Sequence, residues 1–183
     1  MKIIQLLLLF TFIGFTTLSN AQNLPVYEKT NKVTFLDVVD AEGMSSGELY
    51  EVVKEWSDEQ DDWELTEDES GEKIEYKGRV KVYYPAPQGG GDEEGYVNFV
   101  YTVFLKDGKY RYIITDFVHE GKGKNPNGGK LEEKTPECGK IKMSGRGWVT
   151  IKNETNKKVK DLIESLEDRV TEVRNDPTRD EDW

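Results

Sequence analysis

His119 is the only histidine in the 183 residues, and Cys138 is the only cysteine. Ser-His-Asp or Cys-His catalysis needs a nucleophile within hydrogen-bond reach of a base, so any such site here would have to use His119. That histidine stands at the end of a strand pattern beside Glu120, and Cys138 follows across a loop rich in Gly, Lys, Asn and Pro. The sequence therefore reads His119 as a surface histidine and Cys138 as a free thiol, open at most to an intermolecular disulfide. One His and one Cys serve zinc poorly, because a structural site takes four such ligands. Gly121 to Lys130 is glycine-rich and basic, yet Lys130 is followed by Leu131 and no strand-loop-helix context surrounds it, so it fails the phosphate-loop pattern. No metal and no cofactor is indicated.

Carboxylates are the abundant alternative: Asp58, Glu59, Asp61 and Asp62; Glu67, Asp68 and Glu69; Asp92, Glu93 and Glu94; Asp180, Glu181 and Asp182. None has the spacing of a calcium loop with its bidentate Glu, and runs of like charge are ordinarily solvated. Glycoside hydrolysis needs two acids flanking one bond, and nothing in the spacing singles out two. Asp116 differs, because strand alternation places it on an apolar face. It reads as a hydrogen-bonded structural acid, with a functional role as the alternative, since perturbed buried acids cluster at sites.

The elements that would position these groups are legible from periodicity. Lys32 to Val39 is rich in β-formers and reads as a strand. Ser45 and Glu48 form a capping box, and Leu49, Val52, Val53 and Trp56 then recur at helical spacing up to about Glu59. Trp63–Thr66, Lys73–Tyr76 and Arg79–Tyr84 read as strand pieces, and Pro87 to Glu94 as a glycine-rich loop. Tyr96–Lys106 and Lys109–His119 are two long β-rich runs joined by Asp107-Gly108, the signature of a two-residue type I′ hairpin. After a polar loop from Gly121 to Pro136, Lys140–Ile151 is expected to add a short strand. Val159, Leu162, Ile163, Leu166, Val170 and Val173 mark a long amphipathic helix from about Asn153 to Arg174. The expected class is α+β, an antiparallel sheet with two helices on one face, in the order β-α-β-β-β-β-α.

Ahead of these elements lies an export pattern: Lys2, an apolar run from Ile3 to Phe15, and small residues at Ser19 and Ala21 before Gln22. The expected organisation is a signal peptide at 1–21 cleaved between Ala21 and Gln22, an N-terminal extension at 22–31, one α+β domain at 32–174 and a charged tail at 175–183. The apolar run is short for a membrane span, so none is expected after cleavage, and the expected location is periplasmic or secreted. The formal charge of −11 repels nucleic acid and anionic membranes. A single cysteine excludes an internal disulfide, so stability must come from the core.

The hairpin register pairs Leu105 with Tyr110, Val103 with Tyr112, Tyr101 with Ile114 and Phe99 with Asp116 on the face that takes the helices. The opposite face then carries Tyr96, Asn98, Val100, Thr102 and Phe104 against Arg111, Ile113, Thr115, Phe117 and His119, extended by Arg79, Lys81 and Tyr83. Aromatic and cationic side chains gathered there make Arg79, Lys81, Tyr83, Asn98, Phe104, Arg111 and Phe117 the candidate binding residues.

Gly95-Tyr96-Val97-Asn98-Phe99, Lys106-Asp107-Gly108-Lys109-Tyr110-Arg111-Tyr112 and Ile114-Thr115-Asp116-Phe117 resemble the core of the bacterial domain-of-unknown-function family numbered 4468. The Leu49–Trp56 helix and the Lys77–Tyr84 strand resemble its earlier segments. The resemblance spans about Lys32 to His119 and implies an exported protein of Bacteroidota with a TATA-binding-protein-like fold, but no activity. The expected function is a non-enzymatic module that binds a protein or small ligand through the open face. A structural or accessory envelope protein that self-associates there, as a homodimer, is the alternative, and a carboxylate-dependent hydrolase the third reading.

Overall fold

The computed structural model describes residues 24–87, 89–139 and 142–177. The signal peptide and its Ala21/Gln22 cleavage point lie outside the described residues, as does the end of the charged tail. The elements run β1 (Val26–Tyr27), β2 (Lys32–Val33), β3 (Phe35–Asp40), α1 (Ser46–Asp58), β4 (Glu64–Glu69), β5 (Lys73–Pro85), β6 (Asp92–Lys106), β7 (Lys109–Gly121), β8 (Gly129–Lys130) and α2 (Gly145–Arg174). The β-α-β-β-β-β-α order is carried by β3, α1, β4 to β7 and α2. One antiparallel sheet runs β3-β7-β6-β5-β4, with β8 on β7, and β1 pairs with β2 as a separate small hairpin.

Both helices lie against one side of this sheet. The capping box of α1 is complete: the Ser45 hydroxyl accepts from the Glu48 amide, and the Glu48 carboxylate accepts from the Ser45 amide at 2.7 Å. Its Leu49, Val52, Val53 and Trp56 are buried. The Trp56 indole N–H donates to Ser165 of α2 at 3.1 Å, and its ring lies 5.9 Å from that of Tyr101 on β6. Trp63, which leads into β4, sets its ring edge-on to both Trp56 and Phe99 at 5.6 Å. Gly78 makes room for it, since a Cβ there would lie 2.8 Å from Trp63 and 2.6 Å from Phe99.

Several boundaries differ from the sequence reading. Lys73–Tyr76 and Arg79–Tyr84 are one continuous strand, β5, and β6 begins at Asp92, inside the expected loop. The reversal between them is short because Gly89, Gly90 and Gly91 all take positive φ. Of the strand expected over Lys140–Ile151, residues 145–151 are instead the start of α2. Ser144 caps that helix by accepting from the Gly147 amide at 3.0 Å. Trp148, Ile151, Thr155 and Val159 then fall on one buried stripe, so helical spacing overrides the β propensity of Trp-Val-Thr-Ile. The Asp107-Gly108 turn is not type I′, because only Gly108 is left-handed (φ 75°). Tertiary contacts hold it so: Asp107 accepts from the Ser46 amide at 2.8 Å, and the Gly108 amide donates to Met44.

The largest departure is a bulge. The β6–β7 register runs as expected from Leu105↔Tyr110 to Val100↔Thr115, then resumes at Asn98↔Val118. Asp116 and Phe117 together oppose Phe99, and Asp116 is left-handed (φ 58°). Every later residue of β7 is thereby on the face opposite to the expected one. Phe117 enters the core, with ring centroids 5.7 Å from Phe35 and 5.6 Å from Phe99. Asp116 points to solvent and pairs with Lys32. Phe117 and His119 are therefore not on the open face, and Asp116 is not on the helix face.

Candidate binding face

The side of the sheet away from the helices is ruled by register. β5 and β6 pair Lys73 with Phe104, Glu75 with Thr102, Lys77 with Val100, Arg79 with Asn98, Lys81 with Tyr96 and Tyr83 with Glu94. On the other flank Arg111 pairs with Phe104 and Ile113 with Thr102, and β3 sets Val38 beside Arg111 and Leu36 beside Ile113. Of the expected residues, Arg79, Lys81, Tyr83, Asn98, Phe104 and Arg111 share this face.

They form two stations on β6. At one end the Arg111 guanidinium lies 4.5 Å from the Phe104 ring centroid, with the Lys73 ammonium 5.9 Å from the same ring. At the other, Arg79 lies 4.5 Å and Lys81 5.9 Å from the Tyr96 ring. Most of these cations are already matched by acids: Lys73 pairs with Glu67, Arg79 with Asp62 at 2.6 Å, and Lys81 with Glu94 at 3.4 Å. Lys122 also reaches Glu94, at 2.8 Å, and its hydrogen bond holds that carboxyl below the usual carboxylate range. Arg111 is different. Among the described residues no carboxylate lies within ion-pair distance of it. Around it, Leu36 and Val38 are 44% and 52% exposed. Between the stations a groove of about 390 Å³ is lined by Asp62, Glu64, Lys77, Arg79, Asn98, Val100 and Asp116, with Gly78 and Phe99 at its floor.

His119, expected at the surface, is fully buried on the opposite face. Its Nδ1 accepts from the Gly128 amide at 3.0 Å, and its ring stands edge-on to Tyr84 (5.2 Å) and Trp148 (6.3 Å). Cys138 is half-buried, and its Sγ accepts from the Met143 amide at 3.4 Å.

No family model matches the chain, and no curated protein does. Two solved structures match. A DUF4468 family protein from Bacteroides ovatus superposes with a TM-score of 0.63 at 18% identity, over 83% of this chain and 91% of its own. A TBP-like protein from Parabacteroides distasonis gives 0.63 at 16% identity, over 81% and 97%. The chain has a TATA-binding-protein-like fold. The resemblance read from the Gly95–Phe117 motifs is thus borne out in the fold, and neither neighbour's name assigns an activity.

Within this TATA-binding-protein-like sheet, sequence reasoning missed Leu36, Val38 and Lys73. Their place depends on which strands neighbour β7 and β5, and a single strand's alternation carries no such signal. A carboxylate-dependent hydrolase would need two acids placed together in one groove. Burial, with Asp37 adding to it, raises the Glu167 carboxyl above the usual carboxylate range. It does not line the acidic groove of Glu59, Asp161, Glu164, Asp168 and Glu172 between the helices. Among the described residues no group of three or more His, Cys, Asp or Glu is placed to hold a metal ion. Nor is any described helix long and apolar enough to cross a membrane.

Burial pushes His119 down to about 4 from 6.5. A base depressed in the folded state adds stability that is complete above its unfolded value and is lost as pH falls from 6.5 toward 4, because the unfolded chain takes up the proton first. Over that window the loss should reach about 3 kcal/mol, at about 1.4 kcal/mol per unit. Urea unfolding of wild type and His119→Gln at neutral and acid pH should show the wild type losing about that much more. Parallel losses in the two proteins would refute a neutral, buried His119.

Proposed function

We propose that the protein is an exported, non-enzymatic binding module whose working surface is the open sheet face. The observation that carries this reading is Arg111: stacked on Phe104, ringed by exposed Leu36 and Val38, and matched by no acid of its own sheet. Arginine stacks on aromatic faces and is enriched among the few residues that carry most of the binding energy at protein interfaces. The charge of −11 argues against nucleic acid as the partner despite the fold, because phosphate binding rests on neutralising cations. The test is affinity capture from envelope extract with the chain starting at Gln22. Phe104→Ala and Arg111→Glu should each reduce the specifically captured partner by at least about 10-fold, the scale of a hot-spot loss. Unchanged capture by both variants would overturn the proposal.

A second reading, self-association through the same face, is favoured by the exposure of Leu36 and Val38 on the edge strand β3, since exposed apolar edges invite pairing. Light scattering separates the two. A mass that rises with concentration, and falls back to monomer in Val38→Lys, supports self-association, whereas a concentration-independent monomer leaves the face to another partner.

A further inference from the structure

We propose that Tyr84, Glu93 and His119 hold a buried water molecule beneath the segment between β7 and α2. Tyr84 and His119 have no solvent-exposed surface. Three of this region's polar atoms, Tyr84 Oη, Glu93 Oε2 and His119 Nε2, are buried and make no hydrogen bond within the protein. They belong together. Tyr84 and Glu93 are cross-strand partners, the Tyr84 and His119 rings are 5.2 Å apart, and Gly95, two residues from Glu93, faces Nε2. A Cβ on Gly95 would lie 2.4 Å from Nε2. The imidazole edge therefore packs directly against the glycine backbone, a close approach that a side chain at residue 95 would prevent.

The hydrogen-bond inventory selects the occupant. Nδ1 accepts from the Gly128 amide, so the neutral imidazole carries its proton on Nε2 and must donate there. A donating Nε2 has no lone pair to offer a cation, metal ions included, and the Glu93 carboxylate disfavours an anion. A small neutral group that accepts once and donates twice gives each of the three atoms a partner: it accepts the hydrogen bond of Nε2–H and donates hydrogen bonds to Glu93 and Tyr84. Water does this, and buried waters typically make about three bonds to otherwise unpaired polar groups. Such a molecule would link β5, β6 and β7 by hydrogen bonds beside the Tyr84–His119 ring contact.

A crystal structure of the wild-type chain starting at Gln22 tests this directly. Expected is a density peak within about 3.2 Å of Nε2 and of Tyr84 Oη or Glu93 Oε2, the reach of a hydrogen bond. The ring ¹⁵N spectrum should show Nε2 protonated and Nδ1 not. In Tyr84→Phe the peak should persist on the remaining two partners, and in His119→Phe it should be lost. A dry space, a direct bond from Nε2 to Glu93, a peak that refines as a metal ion, or a proton on Nδ1 would each overturn the inference. The deciding measurements are made on the wild type, so a variant that failed to fold would not shield it.

Discussion

Replacing Trp148 with alanine is expected to cost about 3–5 kcal/mol, the range for removing a large aromatic side chain from a packed core. Trp148 is 2% exposed and lies in the first turn of α2. Its indole N–H donates to the Glu133 carbonyl at 3.1 Å, its ring stands 6.3 Å from His119, and the Lys152 ammonium covers it at 5.1 Å. It is therefore the point at which the segment after β7, the sheet and α2 meet. The packing leaves no slack: a Cβ on Gly128 would lie 2.4 Å from the ring, so the chain passes over the indole only because residue 128 has no side chain. Thermal unfolding should fall by about 10 °C, given a few degrees per kcal/mol for a domain of this size. Trp148→Phe should retain most of the stability and lose mainly the bond to Glu133. A midpoint lowered by only a degree or two in Trp148→Ala would show that this segment is not fastened to the sheet by the indole.

How much of this could be read from the chain follows from where its information is local. The Ser45–Glu48 box and the Leu49–Trp56 stripe determine α1 within a few residues, because caps and 3.6-residue periodicity are written in consecutive positions. The Asp107-Gly108 turn likewise sets the strand pairing from Lys106↔Lys109 to Val100↔Thr115. Its backbone type was not legible, because it depends on Ser46 and Met44, more than sixty residues upstream. Arg79, Lys81, Tyr83, Asn98, Phe104 and Arg111 could be assigned to one face, since alternation extends without error along an unbroken ladder. Phe117 and His119 could not, because the error arises at a single left-handed residue. Asp is among the few non-glycine residues that tolerate that conformation, so Asp116 permits the bulge without announcing it. The exposed Leu36 and Val38 were hidden for another reason: strand order brings β3 beside β7, and that is a property of the whole sheet.

The bulge makes the largest prediction, because it decides which of two adjacent residues is core. Phe117→Lys is expected to abolish folding. It removes a buried aromatic ring and leaves a charge between Phe35 and Phe99, where no acid is available among the described contacts. The loss of packing alone is about 3–5 kcal/mol, and an unpaired buried charge adds several more, against a total stability of about 5–15 kcal/mol for a domain. Asp116→Asn, by contrast, should cost no more than about 1 kcal/mol. The Asp116 carboxylate is 46% exposed, its pairing with Lys32 is a surface contact, and Asn also tolerates positive φ. A regular strand without the bulge predicts the reverse, with Asp116 inside and Phe117 on the surface. Deleting Asp116 completes the test. Removing the extra residue lets Phe117 oppose Phe99 and leaves Val118 on Asn98 and His119 on Val97, so every core side chain keeps its face. The deletion variant should therefore fold, and its soluble yield and urea midpoint should lie far closer to wild type than to Phe117→Lys. If the deletion instead proved as damaging as the lysine, the left-handed turn at Asp116 would be holding the strand by more than register, and the two-against-one pairing with Phe99 would not be its whole role.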